Sequence, residues 1–254
     1  MKKIHIIPVL LLATFALNAQ SLAKKYVMIE HFTNSKCSTC ASKNPAFYTL
    51  INQPQYAADV HHVSIHPPYP YNTCEFYLAN TAENTAWAAL YNFLGTPRVS
   101  LNGNLITSSS QLLRQDTLTK YLNKTSPLYL QVSETGTGNT RSAKIQAFAL
   151  DQIPAGNYKL FVAVIEKTIN KVTPNNEAVH HDVFRDMLTP VDGQNFTVPA
   201  SGSSVELDFN YTINAAWAAD QVYVLAYVKD ANTKLVLNSG TKFDPVISVG
   251  ASEP

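Results

Sequence analysis

The chain has 254 residues, 46% of them hydrophobic and 15% charged, with a formal net charge of +1. That balance excludes the basic surface of a nucleic-acid-binding protein and the acidic bias of a solvated tail, and the length suits one large or two ordinary domains. Three cysteines in so long a chain are too few for a disulfide framework.

Met1-Lys2-Lys3, the apolar run from Ile4 to Leu17, and small residues at Ala19 and Ala23 predict a secretory signal peptide over 1–19, with cleavage as late as 23. The run is too short to span a membrane, and no later stretch approaches the ~18 uncharged apolar residues that a span needs. No cysteine near its end offers a lipid attachment point. The expected product is exported, to the periplasm or to an outer-membrane or cell-surface position, with peripheral membrane association allowed.

From residue 24 the pattern alternates. Tyr26–Phe32 reads as a buried strand, 38–53 as a helix carrying Pro45, which predicts a kink, and 60–66 as a second strand ended by Pro67-Pro68. A helix follows over about 75–94, with Trp87 and Tyr91 four apart on one face. Thr96-Pro97 then leads into a strand at 98–101, Asn102-Gly103 marks a hairpin turn into 104–107, and 110–123 reads as a last helix.

Near Ser126-Pro127 the chain changes character. Short alternating runs follow at Leu128–Glu134, Ala143–Leu150, Tyr158–Lys167, Val205–Tyr211, Val222–Lys229 and Leu235–Asn238, separated by turn-rich segments. This predicts an all-β antiparallel sandwich of immunoglobulin-like type over 126–254, after an α/β domain over 24–125. Leu130, Val132, Ile145, Ala147, Phe161, Ala163, Val224 and Ala226 are its expected core, and Val222–Val228, apolar on both faces, is expected to lie centrally.

Cys37-Ser38-Thr39-Cys40 sits at the turn from the first strand into the first helix. Unsatisfied N–H groups and the helix dipole favour a thiolate there. The pair suits dithiol/disulfide exchange, with Cys37 as the exposed attacking thiol, Cys40 as the resolving thiol, and no cofactor beyond a redox-active Cys37–Cys40 disulfide. Half of a zinc site has the same spacing, and His31, His61, His62 and His66 are the side chains that could complete one. Lys36 adds positive charge beside Cys37. Cys74 reads as a third redox thiol or a buried cysteine. His180-His181-Asp182 and Arg185 lack a nucleophile and suit an interface. Glu30 and His31, adjacent in a strand, must face opposite sides, and Glu30 needs a partner in its layer.

The order strand, CxxC helix, strand, helix, Thr-Pro, two strands, helix resembles the thioredoxin fold. The resemblance implies that Pro97 is a cis proline beside the cysteines, with Thr96 lining the site, and that Pro45 matches a helix proline of that family. It places His31 where thioredoxins carry a buried acid, so His31 would serve as the base. Lys36 and the inner Ser-Thr depart from the Trp and Gly-Pro of ordinary thioredoxins. Glu30-His31-Phe32-Thr33-Asn34 before the CxxC, with His181-Asp182-Val183-Phe184-Arg185 downstream, resembles the Omp28-related outer membrane proteins of Bacteroidetes, envelope proteins with a thioredoxin-like domain and a β domain.

Two functions are consistent with these features. One is thiol–disulfide exchange on protein substrates or redox partners of the cell envelope. The other is a non-enzymatic surface or adhesion protein with a structural disulfide.

Overall fold

A computed structural model describes residues 22–107 and 110–247; the expected signal segment 1–19 lies outside the described residues. Described residues 22–126 form strands β1 (Ala23–Lys25), β2 (Val27–Phe32), β3 (Val60–Ile65), β4 (Arg98–Leu101), β5 (Asn104–Ile106) and β6 (Lys124–Ser126). They also form helices α1 (Ser38–Ile51), α2 (Pro54–Ala57), α3 (Glu75–Leu78), α4 (Thr81–Ala89) and α5 (Gln115–Thr119). The remainder is strands: β7 (Leu128–Thr137), β8 (Thr140–Ala149), β9 (Tyr158–Asn170), β10 (Val179–Met187), β11 (Gln194–Asn195), β12 (Ser204–Thr212), β13 (Val222–Asp230) and β14 (Val236–Thr241).

The protein is mostly β. One nine-stranded sheet runs in the order β14-β13-β9-β10-β3-β2-β4-β5, with β11 beside β9. β2 and β3 are parallel, β4 and β5 antiparallel, and β10 joins β3 in parallel through Val183 and Ser64. A single sheet crosses the boundary expected between 24–125 and 126–254. β10 supplies the seam, and it was not anticipated: Val179–Met187 holds two histidines, two aspartates and an arginine and lacks the apolar alternation of its neighbours.

The three largest apolar clusters flank the long sheet. Val27 and Ile29 of β2 meet Phe47, Leu50 and Ile51 of α1, while Met28 and Phe32 turn to the opposite face with Trp87, Phe161 and Phe184. The period-two side-chain alternation of a strand produces this division. On β9 and β13 the even-numbered residues meet the three-stranded sheet β12-β8-β7, and the odd-numbered ones join the Trp87 cluster. Leu130, Val132, Ile145, Ala147, Val224 and Ala226 share the first of these cores as expected. Phe161 and Ala163 belong to the second, because β9 is apolar on both faces. β13 lies between β9 and β14, covered on both faces.

Local chemistry revises several boundaries. The helix expected over 75–94 is two short helices. Asn80 caps the second, its side chain accepting from Glu83 N at 3.3 Å, as suits an asparagine at a helix start. α1 continues through Pro45 to Ile51, and only 115–119 of the last expected helix is helical. Asn102 and Gly103 both have positive φ, 48° and 89°, as a two-residue hairpin turn requires. A Cβ on Gly103 would stand 1.7 Å from Lys234 O, so the close approach of the β13–β14 turn excludes any side chain there. Asn102 Oδ1 also accepts from Met28 N at 2.8 Å, and its carbonyl from Val236 N at 3.1 Å, which ties the hairpin to β2 and β14.

Candidate dithiol site

Cys37 is the N-cap of α1. Its Sγ accepts from Cys40 N at 3.2 Å, satisfying one of the free amides at the helix start. The cis Thr96–Pro97 bond brings Thr96 against both thiols. Cys37 Sγ donates to Thr96 O at 3.7 Å, and Cys40 Sγ lies 3.4 Å from Thr96 Oγ1. Both cysteines are free thiols. Cys37, Cys40, Thr96 and Pro97 are thus brought together, whereas the other residues singled out from the sequence lie elsewhere.

The two thiols are driven apart in acidity. The hydrogen bond from the Cys40 thiol pulls the Cys37 pKa down to about 6, with help from the Cys40 amide and against the effect of burial. That same bond and burial raise Cys40 above the usual thiol range, opposed by hydrogen bonds from Thr96 and Thr33. Cys37 is the more acidic thiol and Cys40 the less acidic one, the order an exchange site needs.

Cys37 is not the open helix start expected from the sequence. It is only 4% exposed, and Cys40 is fully buried. The connection from β9 to β10 lies against it: Asn175 Nδ2 donates to Cys37 O at 3.2 Å and to Asn34 O at 3.3 Å, and Asn175 N donates to Ser35 O at 3.2 Å. Asn175 and Glu177 were missed because they belong to a polar turn 138 and 140 residues beyond Cys37. No local pattern connects that turn to the cysteines.

His31 faces α1, packed against Phe47, Tyr48 and His62 with ring centroids 4.6–5.8 Å away. The Asn44 side chain is the polar group beside its ring nitrogens, outside good hydrogen-bond geometry. Burial, with His62 and His66 nearby, holds its pKa well below 6.5, so it is a weak base. Glu30, on the other face, is fully partnered. Its carboxylate accepts from Trp87 Nε1 at 2.9 Å and from Tyr91 OH, and Lys229 Nζ stands 3.9 Å away.

The remaining histidines sit along the seam. His61 bridges Ser239 and Asp244 at 2.9 Å each, and His62 meets Asp182 at 2.9 Å. His66 packs on Phe76. Among the described residues no group of three or more His, Cys, Asp or Glu is placed to hold a metal ion, so the histidines considered for a zinc site do not join the cysteines. Cys74 is buried beside Ser35, whose Oγ lies 3.1 Å from its Sγ, and Lys36 Nζ turns away to Thr73 Oγ1 at 2.9 Å. A cavity of about 340 Å³ lined by His61, His62, Asp182, Tyr223, Phe243 and Asp244 opens at the seam, and no cysteine lines it.

HBP35 of Porphyromonas gingivalis is similar in fold, with a TM-score of 0.72 at 17% identity over 91% of this chain and 79% of that one. A domain of the outer membrane lipoprotein Omp28 from the same organism matches 47% of this chain and 90% of its own length, at 14% identity and a TM-score of 0.36. No curated protein matches the chain. Among the described residues no helix is long and apolar enough to cross a membrane. The family described as outer membrane protein Omp28 matches residues 84–242, more than half of the chain. The protein therefore belongs to the Omp28 family, exported and associated with the outer membrane.

Proposed function

We propose that this protein performs thiol–disulfide exchange on other proteins of the cell envelope, with Cys37 attacking, Cys40 resolving, and Thr96 and Pro97 lining the site. The observation that carries this reading is the Cys37 sulfur at the α1 N-cap, 3.2 Å from Cys40 N and in contact with Thr96. β2, α1, β3, α3–α4, the cis proline, β4, β5 and α5 form a thioredoxin-like unit in this reading. β7, β8 and β12 against β9 and β13 form a β-sandwich that shares its long sheet. The Omp28 match begins at residue 84, after the cysteines, so the exchange reading rests on the site's geometry and not on the family. The test is capture in the native envelope. Cys40→Ser should accumulate mixed disulfides with envelope proteins and Cys37→Ser should not; equal absence of captured partners from both variants would remove the reading.

One observation favours a second reading, a non-enzymatic surface protein that keeps the pair as a structural disulfide: Cys37 is covered. The reduction potential of the pair separates the two. A value below about −300 mV marks a structural bond and a higher one a labile, exchanging bond.

A further inference from the structure

The turn Asn34–Cys37, which delivers Cys37 to the start of α1, is closed by Cys37 N donating to Asn34 O at 3.0 Å. It is held from two sides. On one side lies the segment 67–74. Asn34 Nδ2 donates to Pro67 O at 3.2 Å and to Tyr71 O at 3.0 Å, Ser35 N to Cys74 Sγ at 3.4 Å, and Lys36 Nζ to Thr73 Oγ1 at 2.9 Å. On the other side is a single residue of the connection between β9 and β10. Asn175 Nδ2 donates to Asn34 O and to Cys37 O, and Asn175 N to Ser35 O. Three carbonyls of the cysteine turn thus accept from Asn175.

We propose that Asn175 is a positioning residue for the Cys37 sulfur, acting through the Cys37 carbonyl; the inference rests on the exchange reading above. The Asn175 amide has one orientation open to it. Its Oδ1 accepts from Glu177 N at 3.2 Å and from Thr173 Oγ1 at 2.7 Å, and a backbone N–H can only donate. The NH2 group is therefore the end that faces the carbonyls. Cys37 has the extended backbone of an N-cap residue, with φ −84° and ψ 113°, and its carbonyl accepts from Ala41 N at 3.1 Å as well as from Asn175. Rotation about ψ moves that carbonyl and everything after it, Cys40 N included, relative to the Cys37 sulfur. A donor that fixes the carbonyl from outside the helix holds Sγ against Cys40 N, 3.2 Å away, where the helix start favours a thiolate.

The step affected is attack. The Cys37 thiolate attacks one sulfur of a partner disulfide, and the new sulfur–sulfur bond forms as the partner's own bond breaks. The second sulfur leaves with the electron pair as a thiolate and takes a proton from solvent. The ionisable neighbours in this network are Cys40 on α1, Lys36 in the turn, and Glu177, whose carboxylate accepts from Asn44 Nδ2 and Asn175 Nδ2. The Gly95-Thr96-Pro97 segment adds none. Asn175 is uncharged, so removing it alters placement without adding or removing a charge.

The rate of Cys37 alkylation by iodoacetamide, read by mass spectrometry on the reduced full chain as a function of pH, tests this. Asn175→Ala should raise the pH midpoint by about half a unit and slow labelling about threefold at pH values below both midpoints, the order expected when a sulfur loses part of one hydrogen bond. The plateau at high pH should not change. Val172→Ala, at an exposed position on the same connection, should leave the whole profile as it is. In a Glu177→Gln background Asn175→Ala should give the same rise. An unchanged midpoint in Asn175→Ala, or an equal shift in Val172→Ala, overturns the proposal. Faster labelling at every pH with the midpoint unmoved also overturns it, and would make Asn175 a cover over the thiol. Loss of the shift in the Glu177→Gln background overturns it too, by assigning the effect to the released carboxylate. If Asn175→Ala does not fold, Asn175→Ser, which keeps an acceptor for Glu177 N but has no amide to donate to both carbonyls, carries the same expectations. A Cys37 midpoint at the ordinary thiol value in the unsubstituted protein is a different result and overturns the exchange reading itself.

Discussion

Glu30 and His31 are neighbours on β2, both fully buried, and they face opposite sides of the long sheet. On the Trp87 side, Glu30 has two hydrogen-bond donors and Lys229 from β13. On the α1 side, His31 has aromatic rings and the Asn44 side chain, and no charged partner. A charge survives burial where a partner reaches it, and here the partner comes from nearly 200 residues away. Where no partner arrives, the buried group stays neutral. The cysteines lie on this second, drier side, where the bond to Cys37 raises Cys40 and the desolvation that keeps His31 neutral adds to it.

The sharpest way to break the comparison is to remove the half that supplies Lys229. A chain ending near residue 125 loses Phe161, Phe184, Tyr223 and Lys229 from around Glu30 and should show no cooperative urea transition. A cooperative transition with near-ultraviolet circular dichroism would show that the first half closes the Glu30 side unaided.

Lys229→Met strands the carboxylate and should destabilise the full chain by about 3–5 kcal/mol in urea unfolding. Adding Glu30→Gln should recover most of that loss, and a double variant as unstable as the single one would mean that packing and not charge is responsible.

The His31 side predicts a pH effect of defined sign. The His31 and His66 pKa values are lowered in the folded state, so the unfolded chain binds more protons as pH falls below the ordinary histidine value. Stability from each is fully present above about pH 6.5 and is lost on acidification, by about 2 kcal/mol per histidine at pH 5. His31→Phe should flatten that slope while changing neutral-pH stability little, since the contacts of the ring are mainly aromatic. A slope that stays as steep in His31→Phe would assign acid lability to other groups.

The smallest effect on folding, and the most direct on chemistry, concerns Cys37. Its alkylation rate should rise with a midpoint at about pH 6, and Cys40→Ala should move that midpoint upward, because the Cys40 thiol is the main cause of the lowered value. A midpoint in Cys40→Ala equal to that of the unsubstituted protein would transfer the cause to the helix start alone.

Much of the architecture was readable as local pattern. Val222–Val228 is apolar at every position and forms a strand covered on both faces. Asn102-Gly103 allows little but a tight hairpin. The strand β10 was hidden because its side chains answer to the seam, where Asp182 meets His62 and the His181 ring packs on Tyr48, and not to a single apolar face. At the site, Cys37, Cys40, Thr96 and Pro97 could be named in advance. The covering turn could not.

The sequence by itself determined what depends on neighbours in the chain: the cysteine pair at a helix start, the hairpin turn, the period-two strands, and the need of Glu30 for a partner. Only the tertiary structure decided which residues answer those needs. Lys229 for Glu30, Asn175 for the Cys37 carbonyl, Glu177 for Asn44, and β10 as the strand that makes two patterns one sheet all come from distant segments. Hydrogen bonds and ion pairs act over a few ångströms in space, and nothing in the order of residues records which distant groups will fall within that reach.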